Sequence, residues 1–269
     1  MIGIFDSGFG GLTILKAVEK ALPQYSYLYL GDNKRAPYGC RSDAEIYRYT
    51  LEGVEALFAR GARLVILACN TSSAVALRKI QQEVLPFRYP HKRVLGIIIP
   101  TAEESDTFSQ TKHIGVWATE ATVQSGVYER EMLKIDPKLR ITTLPCPLLV
   151  PLIEAGSKSS DAIKEAINVY IEALFERDTA IDTLILGCTH YPIIEDEIKS
   201  LLPTHVRVIA QGDIIAKKLA AYLERHADME TALSIQMDRV FLTTSADEEV
   251  KRIADSFYGE RVGLEMVVL

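Results

Sequence analysis

The chain has 269 residues, of which 48% are hydrophobic, and its net charge is −6; this length allows one large domain or two smaller ones. No apolar run approaches the roughly 20 residues of a membrane span, and residues 1–6 lack the features of a signal peptide, so we expect a cytoplasmic protein without a membrane partner. The acidic balance and the lack of a basic patch argue against nucleic acid as a partner.

Short apolar runs rich in Ile, Leu and Val predict nine strands. They cover residues 2–5, 27–30, 64–68, 94–98, 114–118, 140–144, 184–187, 206–209 and 240–243. Helical patterns lie between most of these runs, among them residues 12–21, 74–84, 193–202 and 214–225. This alternation predicts the α/β class with open, mainly parallel sheets.

Two stretches of the chain resemble each other. Residues 54–71 and 171–190 both contain the letters EALF in a helix, then a buried strand, then a cysteine, Cys69 or Cys188. We infer a duplicated α/β unit and two pseudo-symmetric domains, residues 1–97 plus 212–269 and residues 98–211. Both cysteines then lie at carboxyl ends of strands, where open α/β sheets bind ligands, and we expect both thiols to face one cleft between the domains.

Two thiols on opposite sides of one carbon suit a reaction in which one removes a proton and the other delivers one. The repeat therefore predicts a racemase or an epimerase. For Cys40 and Cys146 we expect the ordinary role of a small buried hydrophobic residue. The four cysteines form no C-x-x-C pair, so the sequence predicts neither a metal site nor a disulfide framework.

The first predicted strand runs into Asp6-Ser-Gly-Phe-Gly-Gly11, which opens a helix. The free N–H groups at such a helix start can bind an anion. A dinucleotide site, with Asp32 near the ribose, is a weak alternative because Thr13 stands where the third glycine of G-x-G-x-x-G belongs. Asp6 is either a ligand contact or a helix cap.

Polar residues follow both repeated cysteines. Residues 70–73 and 189–192 begin helices, so their hydroxyl and amide groups are either caps or ligand contacts. We expect these helix starts to lower the pKa of a nearby thiol and to hold an anionic substrate without a lysine or arginine. His190 is the candidate acid/base partner of a cysteine, and Glu154 is either an acid in the site or a solvated helix residue.

Six segments in order resemble the glutamate racemase family of bacterial cell-wall synthesis, within the aspartate/glutamate racemase superfamily. They are Asp6-Ser-Gly-Phe-Gly-Gly11, Pro37-Tyr-Gly39, Ala68-Cys-Asn-Thr71, residues 119–128, residues 149–156 and Gly187-Cys-Thr-His-Tyr-Pro192. The resemblance implies an enzyme of peptidoglycan synthesis that converts L-glutamate to D-glutamate and back without a cofactor or a metal. It also implies glutamate as the small-molecule partner, and we expect a homodimer.

The resemblance assigns roles to individual residues. It implies that Cys69 acts on the D-isomer and Cys188 on the L-isomer, and that Asp6, Glu154 and His190 assist proton transfer. The implied substrate contacts are Asp6, Ser7, Tyr38, Gly39, Asn70, Thr71, Thr189 and His190, with Thr119 and Thr122 as secondary contacts.

The chain departs from the family pattern at Ala210-Gln211-Gly212, where Asp-Ser-Gly is usual, so no acid is expected there. It also starts at its first strand, without the extension of members activated by a cell-wall precursor, so regulation by that route is not expected.

Two alternatives stay open. One is a racemase of another acidic amino acid, chiefly aspartate, and the other is a non-catalytic amino-acid-binding protein or inhibitor.

Overall fold

The computed structural model describes residues 1–156 and 160–269. Its strands form two separate sheets in which every pair of neighbouring strands is parallel. The described strands are β1 (Ile2–Asp6), β2 (Tyr27–Gly31), β3 (Leu64–Leu67), β4 (Arg93–Gly96), β5 (His113–Ala118), β6 (Arg140–Pro145), β7 (Thr183–Gly187), β8 (Arg207–Ile209), β9 (Arg239–Thr243) and β10 (Leu264–Met266). The predicted α/β class with parallel sheets is confirmed.

Helices connect the strands. In chain order they are α1 (Gly11–Ala21), α2 (Asp43–Ala59), α3 (Asn70–Val75), α4 (Leu77–Lys79), α5 (Leu85–Arg88), α6 (Ile98–Glu103), α7 (Glu120–Gln124), α8 (Val127–Ile135), α9 (Leu149–Glu154), α10 (Asp161–Arg177), α11 (Glu195–Leu201), α12 (Gly212–Arg225), α13 (Ala227–Thr231) and α14 (Glu248–Tyr258). Single turns of 3₁₀ helix cover Tyr38–Cys40, Ser105–Thr107 and Tyr191–Ile194, and a π-helical turn covers Ile80–Val84. No helix in the described parts of the chain is long and apolar enough to cross a membrane.

The strand order is β10-β9-β2-β1-β3-β4 in the first sheet and β6-β5-β7-β8 in the second. The chain therefore crosses to the second sheet between β4 and β5, and it returns between β8 and β9. Helix α12 follows the return and packs against α1. The predicted domain limits, residues 1–97 plus 212–269 and residues 98–211, stay a prediction.

The two repeated segments occupy equivalent places in the two sheets. Strand β3 lies between β1 and β4, and β7 lies between β5 and β8. The helices before them, α2 and α10, each have 17 residues and a serine cap, Ser42 or Ser160, that accepts a backbone N–H. Both strands are completely buried because helices cover both faces of a parallel sheet, which is why their sequences are continuously apolar.

Two predicted elements differ from the structure, and one strand was not predicted. Strand β4 ends at Gly96, and the apolar residues after it begin helix α6, since an apolar run alone does not separate a strand from a buried helix. The helix predicted over 74–84 is broken into short pieces and a π turn ahead of Pro86, which has no N–H to donate. The sequence missed β10, a three-residue strand at the sheet edge.

Cys146 is buried as predicted, but Cys40 is exposed. The prediction for Cys40 was wrong because Tyr38, in the same 3₁₀ turn, takes the buried position instead.

The second sheet contains the chain's one tryptophan, Trp117, at the end of β5. Its side chain is fully buried, and its ring meets Tyr170 of α10 edge to face with 6.0 Å between ring centres. Alternate residues of β5, such as Val116, pack on the other side of the sheet against α8. The second sheet therefore has an apolar layer on each face.

Candidate active site

A cavity lies where the carboxyl ends of the two sheets meet, with about 400 Å³ of empty space that includes its opening to solvent. Residues that follow β1, β3, β5 and β7 all contribute to its wall, so both sheets build it. The described lining residues are Ser7, Gly8, Ala36, Pro37, Tyr38, Gly39, Cys69, Asn70, Thr71, Thr119, Val150, Glu154, Cys188, Thr189 and His190. None of these is a lysine or an arginine, so the donors that an anionic ligand would meet are backbone N–H groups, hydroxyls, thiols, the Asn70 amide and the imidazole.

The cavity brings together most of the residues that the sequence singles out. Cys69, Cys188, Glu154 and all of the expected substrate contacts except one line it, and so does Thr119. Asp6 and Thr122 are not among the lining residues. Asp6 is fully buried behind the wall, where it contacts Thr189 rather than open space.

Cys69 sits directly before α3 and acts as its N-cap. Its sulfur accepts the N–H of Ser72 at 3.4 Å and lies 3.4 Å from the Ser7 hydroxyl. Burial, with the nearby charge of Asp6 as the second cause, raises the pKa of the Cys69 thiol to about 11. The expected lowering of the pKa was therefore wrong at Cys69, because these hydrogen bonds do not replace the water that a thiolate loses on burial.

Cys188 directly follows β7, and its sulfur lies 3.9 Å from Nδ1 of His190. The other ring nitrogen, Nε2, lies 2.8 Å from a carboxylate oxygen of Glu154. Burial alone would lower the pKa of His190, but the hydrogen bonds to Cys188 and Glu154 outweigh it and raise the pKa to about 10. At neutral pH the ring is therefore a cation that donates to both partners, and its outer edge packs against Phe257 of α14.

Asp6 connects the surroundings of the two cysteines. Its carboxylate accepts the N–H of Gly8 at 2.8 Å and the hydroxyl of Thr189 at 3.4 Å. Burial raises the pKa of Asp6, although the positive charge of His190 opposes the shift. Asp6 is not the N-cap residue of α1, which is Gly10, although the N–H of Gly11 in the first turn of that helix also stabilises the Asp6 carboxylate.

Gly10 allows the start of α1 to approach the loop after Cys188. A side-chain carbon at Gly10 would overlap the Thr189 hydroxyl and would come within 2.5 Å of His190 Nδ1. The hydroxyl of Thr13 donates to the backbone oxygen of Thr189 at 3.1 Å. The glycine-rich loop thus packs against the half of the molecule that is built on the second sheet. This close packing explains why Gly10 is a glycine, and no bound nucleotide is needed to explain it.

Hydrogen bonds to Asp32 hold the loop that carries Tyr38. The Tyr38 hydroxyl donates to Asp32 at 2.5 Å, and Asp32 also accepts from Thr244 at 2.8 Å and from Arg35 at 2.6 Å. Asp32 is fully buried by these contacts, so it holds the loop and does not face a ligand. Gly39 follows, and a side-chain carbon there would lie 2.8 Å from Cβ of Thr119.

Hydroxyl groups join the two halves on the Cys69 side. Thr71 lies 2.8 Å from Thr119 and 3.4 Å from Thr122, both of which belong to the segment after β5. Thr119 also caps α7 by accepting the N–H of Thr122. Because several of these groups can either donate or accept, they can turn toward a bound ligand without leaving a partner unpaired.

Sequence reasoning did not single out Ala36 and Val150 as lining residues, nor Phe257 as a neighbour of His190. Val150 lies inside a segment that carries the family resemblance, but a motif does not indicate which side chains face a cavity. Phe257 is 67 positions from His190 in the chain, and no local pattern connects them. Residues 1–156 and 160–269 contain no group of three or more His, Cys, Asp or Glu side chains suited to a metal ion.

The family model described as Asp/Glu/Hydantoin racemase matches residues 12–219. The chain belongs to this family. A glutamate racemase from Bacillus cereus is 37% identical, with 97% of this chain and 94% of the relative aligned. The resemblance to glutamate racemases is thereby confirmed.

Solved structures agree. A glutamate racemase isoform from Bacillus anthracis gives a TM-score of 0.90 at 32% identity, covering 100% of this chain and 97% of the other. The glutamate racemase from Francisella tularensis, solved with D-glutamate, gives 0.86 at 32% identity, covering 99% and 97%. These proteins share the two-domain racemase fold.

Proposed function

We propose that the protein interconverts L- and D-glutamate by moving the Cα proton between Cys69 and Cys188. The observation that carries this proposal is that both thiols line one cavity from equivalent positions in the two sheets. The similarity to glutamate racemases over almost the whole chain supports glutamate as the substrate. Aspartate, the expected alternative, serves as the comparison substrate in the tests.

In the proposed step, one cysteine thiolate takes the Cα proton and becomes a thiol. The electron pair stays on the substrate carbon, and the opposite thiol gives its proton to the other face and becomes a thiolate. With L-glutamate, Cys188 removes the proton and Cys69 delivers one, and D-glutamate reverses these roles. The raised pKa of Cys69 suits the donor role, because its thiol is protonated at neutral pH.

His190 assists at Cys188 because an imidazolium stabilises a neighbouring thiolate. Glu154 holds the ring by accepting from Nε2. Asp6 assists from behind the wall through its bond to Thr189, through its effect on the pKa of Cys69 and through its charge interaction with His190. These three residues keep the proton-transfer roles expected for them.

The carbanion needs stabilisation because the proposed reaction uses no metal and no organic cofactor that could accept its charge. Backbone N–H groups at the start of α3 and the hydroxyls of Ser7 and Thr71 are donors available to the substrate, whereas the Thr189 hydroxyl donates to Asp6. Fixed donors in a closed cavity act strongly on developing charge because they need no reorganisation during the reaction. Enzyme dialysed against a chelator should therefore racemise at an unchanged rate.

The remaining parts of the proposal concern the cell. We propose that the D-glutamate serves peptidoglycan synthesis, that the protein is cytoplasmic, and that it forms a homodimer. The first follows the role of the family, and the other two stay predictions from the sequence. Light scattering gives the molar mass of the purified protein and thereby tests whether it is a homodimer.

The decisive experiment separates the two thiols. Cys69→Ser and Cys188→Ser are each given both enantiomers of a glutamate analogue with a β-leaving group, from which elimination needs proton removal but no second delivery. Cys69→Ser should eliminate from the L-analogue, Cys188→Ser should eliminate from the D-analogue, and each should lose racemisation by about 10³-fold or more. Formation of the 2-oxo acid measures elimination, and circular dichroism with L-glutamate and then L-aspartate measures racemisation.

Cys40→Ser is the matched control, because Cys40 is exposed and does not line the cavity. It should keep the activity of the unchanged enzyme. The two-thiol proposal is wrong if either active-site variant retains normal racemisation, or if both prefer the same enantiomer.

A further inference from the structure

Gln211 lies at the point where the chain returns from the second sheet to the first, and it uses both ends of its side chain. Its Nε2 lies 3.3 Å from the backbone oxygen of Ile97, 2.9 Å from the Thr101 hydroxyl and 3.1 Å from the Tyr128 hydroxyl. Its Oε1 accepts from Nδ2 of Asn70 at 2.7 Å. Gln211 is only 2% exposed, so its side-chain amide makes these hydrogen bonds instead of hydrogen bonds to water.

The partners of Gln211 come from separate parts of the fold. Ile97 and Thr101 lie on the first crossing between the sheets, Gln211 lies on the second, and Tyr128 belongs to α8 of the second half. One side chain therefore joins both crossings to the half that contains Cys69.

Asn70 is the residue that receives this connection, and it directly follows Cys69. Its Nδ2 donates to Gln211, and its Oδ1 accepts from the Tyr128 hydroxyl at 2.8 Å. Both polar ends of the Asn70 side chain are thus held, and its orientation is fixed because the donor and acceptor ends cannot be exchanged without losing both bonds. Asn70 is also the first residue of α3, whose N-terminal turn supplies the N–H that reaches Cys69.

The Cys188 side has a different arrangement. The residue that follows Cys188 is Thr189, and its hydroxyl donates to Asp6 rather than to a residue at the crossings. A change at Gln211 therefore reaches Cys69 through hydrogen bonds to Asn70. Toward Cys188 the described residues offer the packing of the Tyr128 ring beside Gly187 and no equivalent hydrogen bond.

We propose that Gln211 is a positioning residue for Cys69, which sets the place of that thiol relative to the substrate by holding Asn70 against Tyr128 and the two crossings. The inference rests on the proposed two-thiol reaction. Positioning of a reacting group to within a fraction of an ångström matters strongly for rate. A residue that only strengthened the crossings would instead affect both thiols alike.

The test compares elimination from the two enantiomers of the β-leaving-group analogue, because each enantiomer reports on one thiol. In Gln211→Met, which keeps the length of the side chain but removes its hydrogen bonds, elimination that depends on Cys69 should fall about tenfold relative to elimination that depends on Cys188. Cys69→Ser and Cys188→Ser, measured in parallel, establish which enantiomer depends on which thiol. Tyr128→Phe removes the other bond to Asn70 and should give the same one-sided loss, even where Gln211→Met does not fold.

Thr101→Val is the matched control, because it removes one partner of Gln211 but leaves the bond to Asn70. It should change both eliminations equally, whatever it does to the melting temperature. Equal losses in Gln211→Met and Tyr128→Phe would overturn the positioning role while the two-thiol reaction stands. If the two serine variants show no opposite enantiomer preference, the two-thiol reaction fails and the positioning role fails with it.

Discussion

Cys69 and Cys188 occupy equivalent positions in two similar sheets, but their neighbours differ in charge. The sulfur of Cys69 meets the Ser7 hydroxyl and one backbone N–H, with the carboxylate of Asp6 nearby. The sulfur of Cys188 meets the imidazolium of His190. The fold repeats the position of the thiol, whereas the charged groups beside the two sulfurs differ.

This difference has a mechanistic consequence. A racemase must remove a proton from either face, so in each direction one thiol must be charged and the other neutral. The raised pKa of Cys69 keeps the proton on that thiol at neutral pH when no substrate is bound, and the imidazolium of His190 lies beside the other sulfur. The variants below change the surroundings of one cysteine at a time.

The largest effect is expected from His190→Asn, which removes the cation beside Cys188. We expect kcat to fall by about 10²-fold with little change in KM, because the lost charge stabilises the proton-transfer step more than the bound substrate. Initial rates with L- and D-glutamate measure both constants. Glu154→Gln, which leaves the imidazole in place, should lower kcat less, and a pure rise in KM in His190→Asn would contradict the assignment.

Thr189→Ala and Thr71→Ala compare substrate binding on the two sides. Each removes one hydroxyl that lines the cavity, so we expect KM to rise about tenfold with kcat nearly kept, as for a contact that is equal in the ground and transition states. Steady-state kinetics of the two variants, with Cys40→Ser as the control, measure this. A loss confined to kcat in both would mean that the hydroxyls act on the proton transfer instead.

Asp6→Asn should reduce the difference between the two thiols. Its negative charge is the second cause of the raised pKa of Cys69, so the variant should lower that pKa from about 11 and speed alkylation of Cys69 at pH 8 by about tenfold or less. Peptide mass spectrometry after timed iodoacetamide treatment measures the rate, with the exposed Cys40 as an internal reference. In the same variant kcat should fall more than KM rises, and unchanged alkylation would exclude Asp6 as the cause.

The smallest effect concerns stability and pH. The pKa of His190 is about 10 in the folded protein, against the ordinary value of 6.5 that we take for the unfolded chain. The protonated ring therefore contributes its full stabilisation below pH 6.5, and this contribution is lost as the pH rises toward 10. The difference in free energy of unfolding between the unchanged protein and His190→Asn should therefore shrink from about pH 6.5 to pH 8.5, below the range in which Cys69 titrates. Urea unfolding at these pH values measures it. If the difference grew with pH, His190 would not be the stabilising cation that we assign in the folded protein.

The sequence predicts the parts of the site that depend on strand ends. Ser7, Asn70 and Thr189 follow apolar runs that were recognisable as buried strands, and the carboxyl ends of parallel strands meet at one edge. The letters of the chain do not show which polar residues lie behind the wall. Asp6 was expected to touch the substrate, but its carboxylate is buried against Gly8 and Thr189.

Contacts between distant parts of the chain explain most of what the sequence missed. Gln211 stood out only as a departure from the family pattern, and its bond to Asn70 spans 141 positions. The pKa of Cys69 depends on burial and on Asp6, which is 63 positions away. The sequence also did not show that the strand ends at Gly96 and a helix follows, because the same apolar residues suit either a strand or a buried helix.

The burial of Trp117 against Tyr170 gives the half of the molecule built on the second sheet a spectroscopic signal of its own. Because the chain has one tryptophan and it lies in the second sheet, tryptophan emission during unfolding reports on that sheet alone, whereas far-ultraviolet circular dichroism reports on the helices of both halves. Coincident denaturation curves from the two methods would mean that the halves unfold as one cooperative unit. Separated curves would give the stability of each half without any labelling.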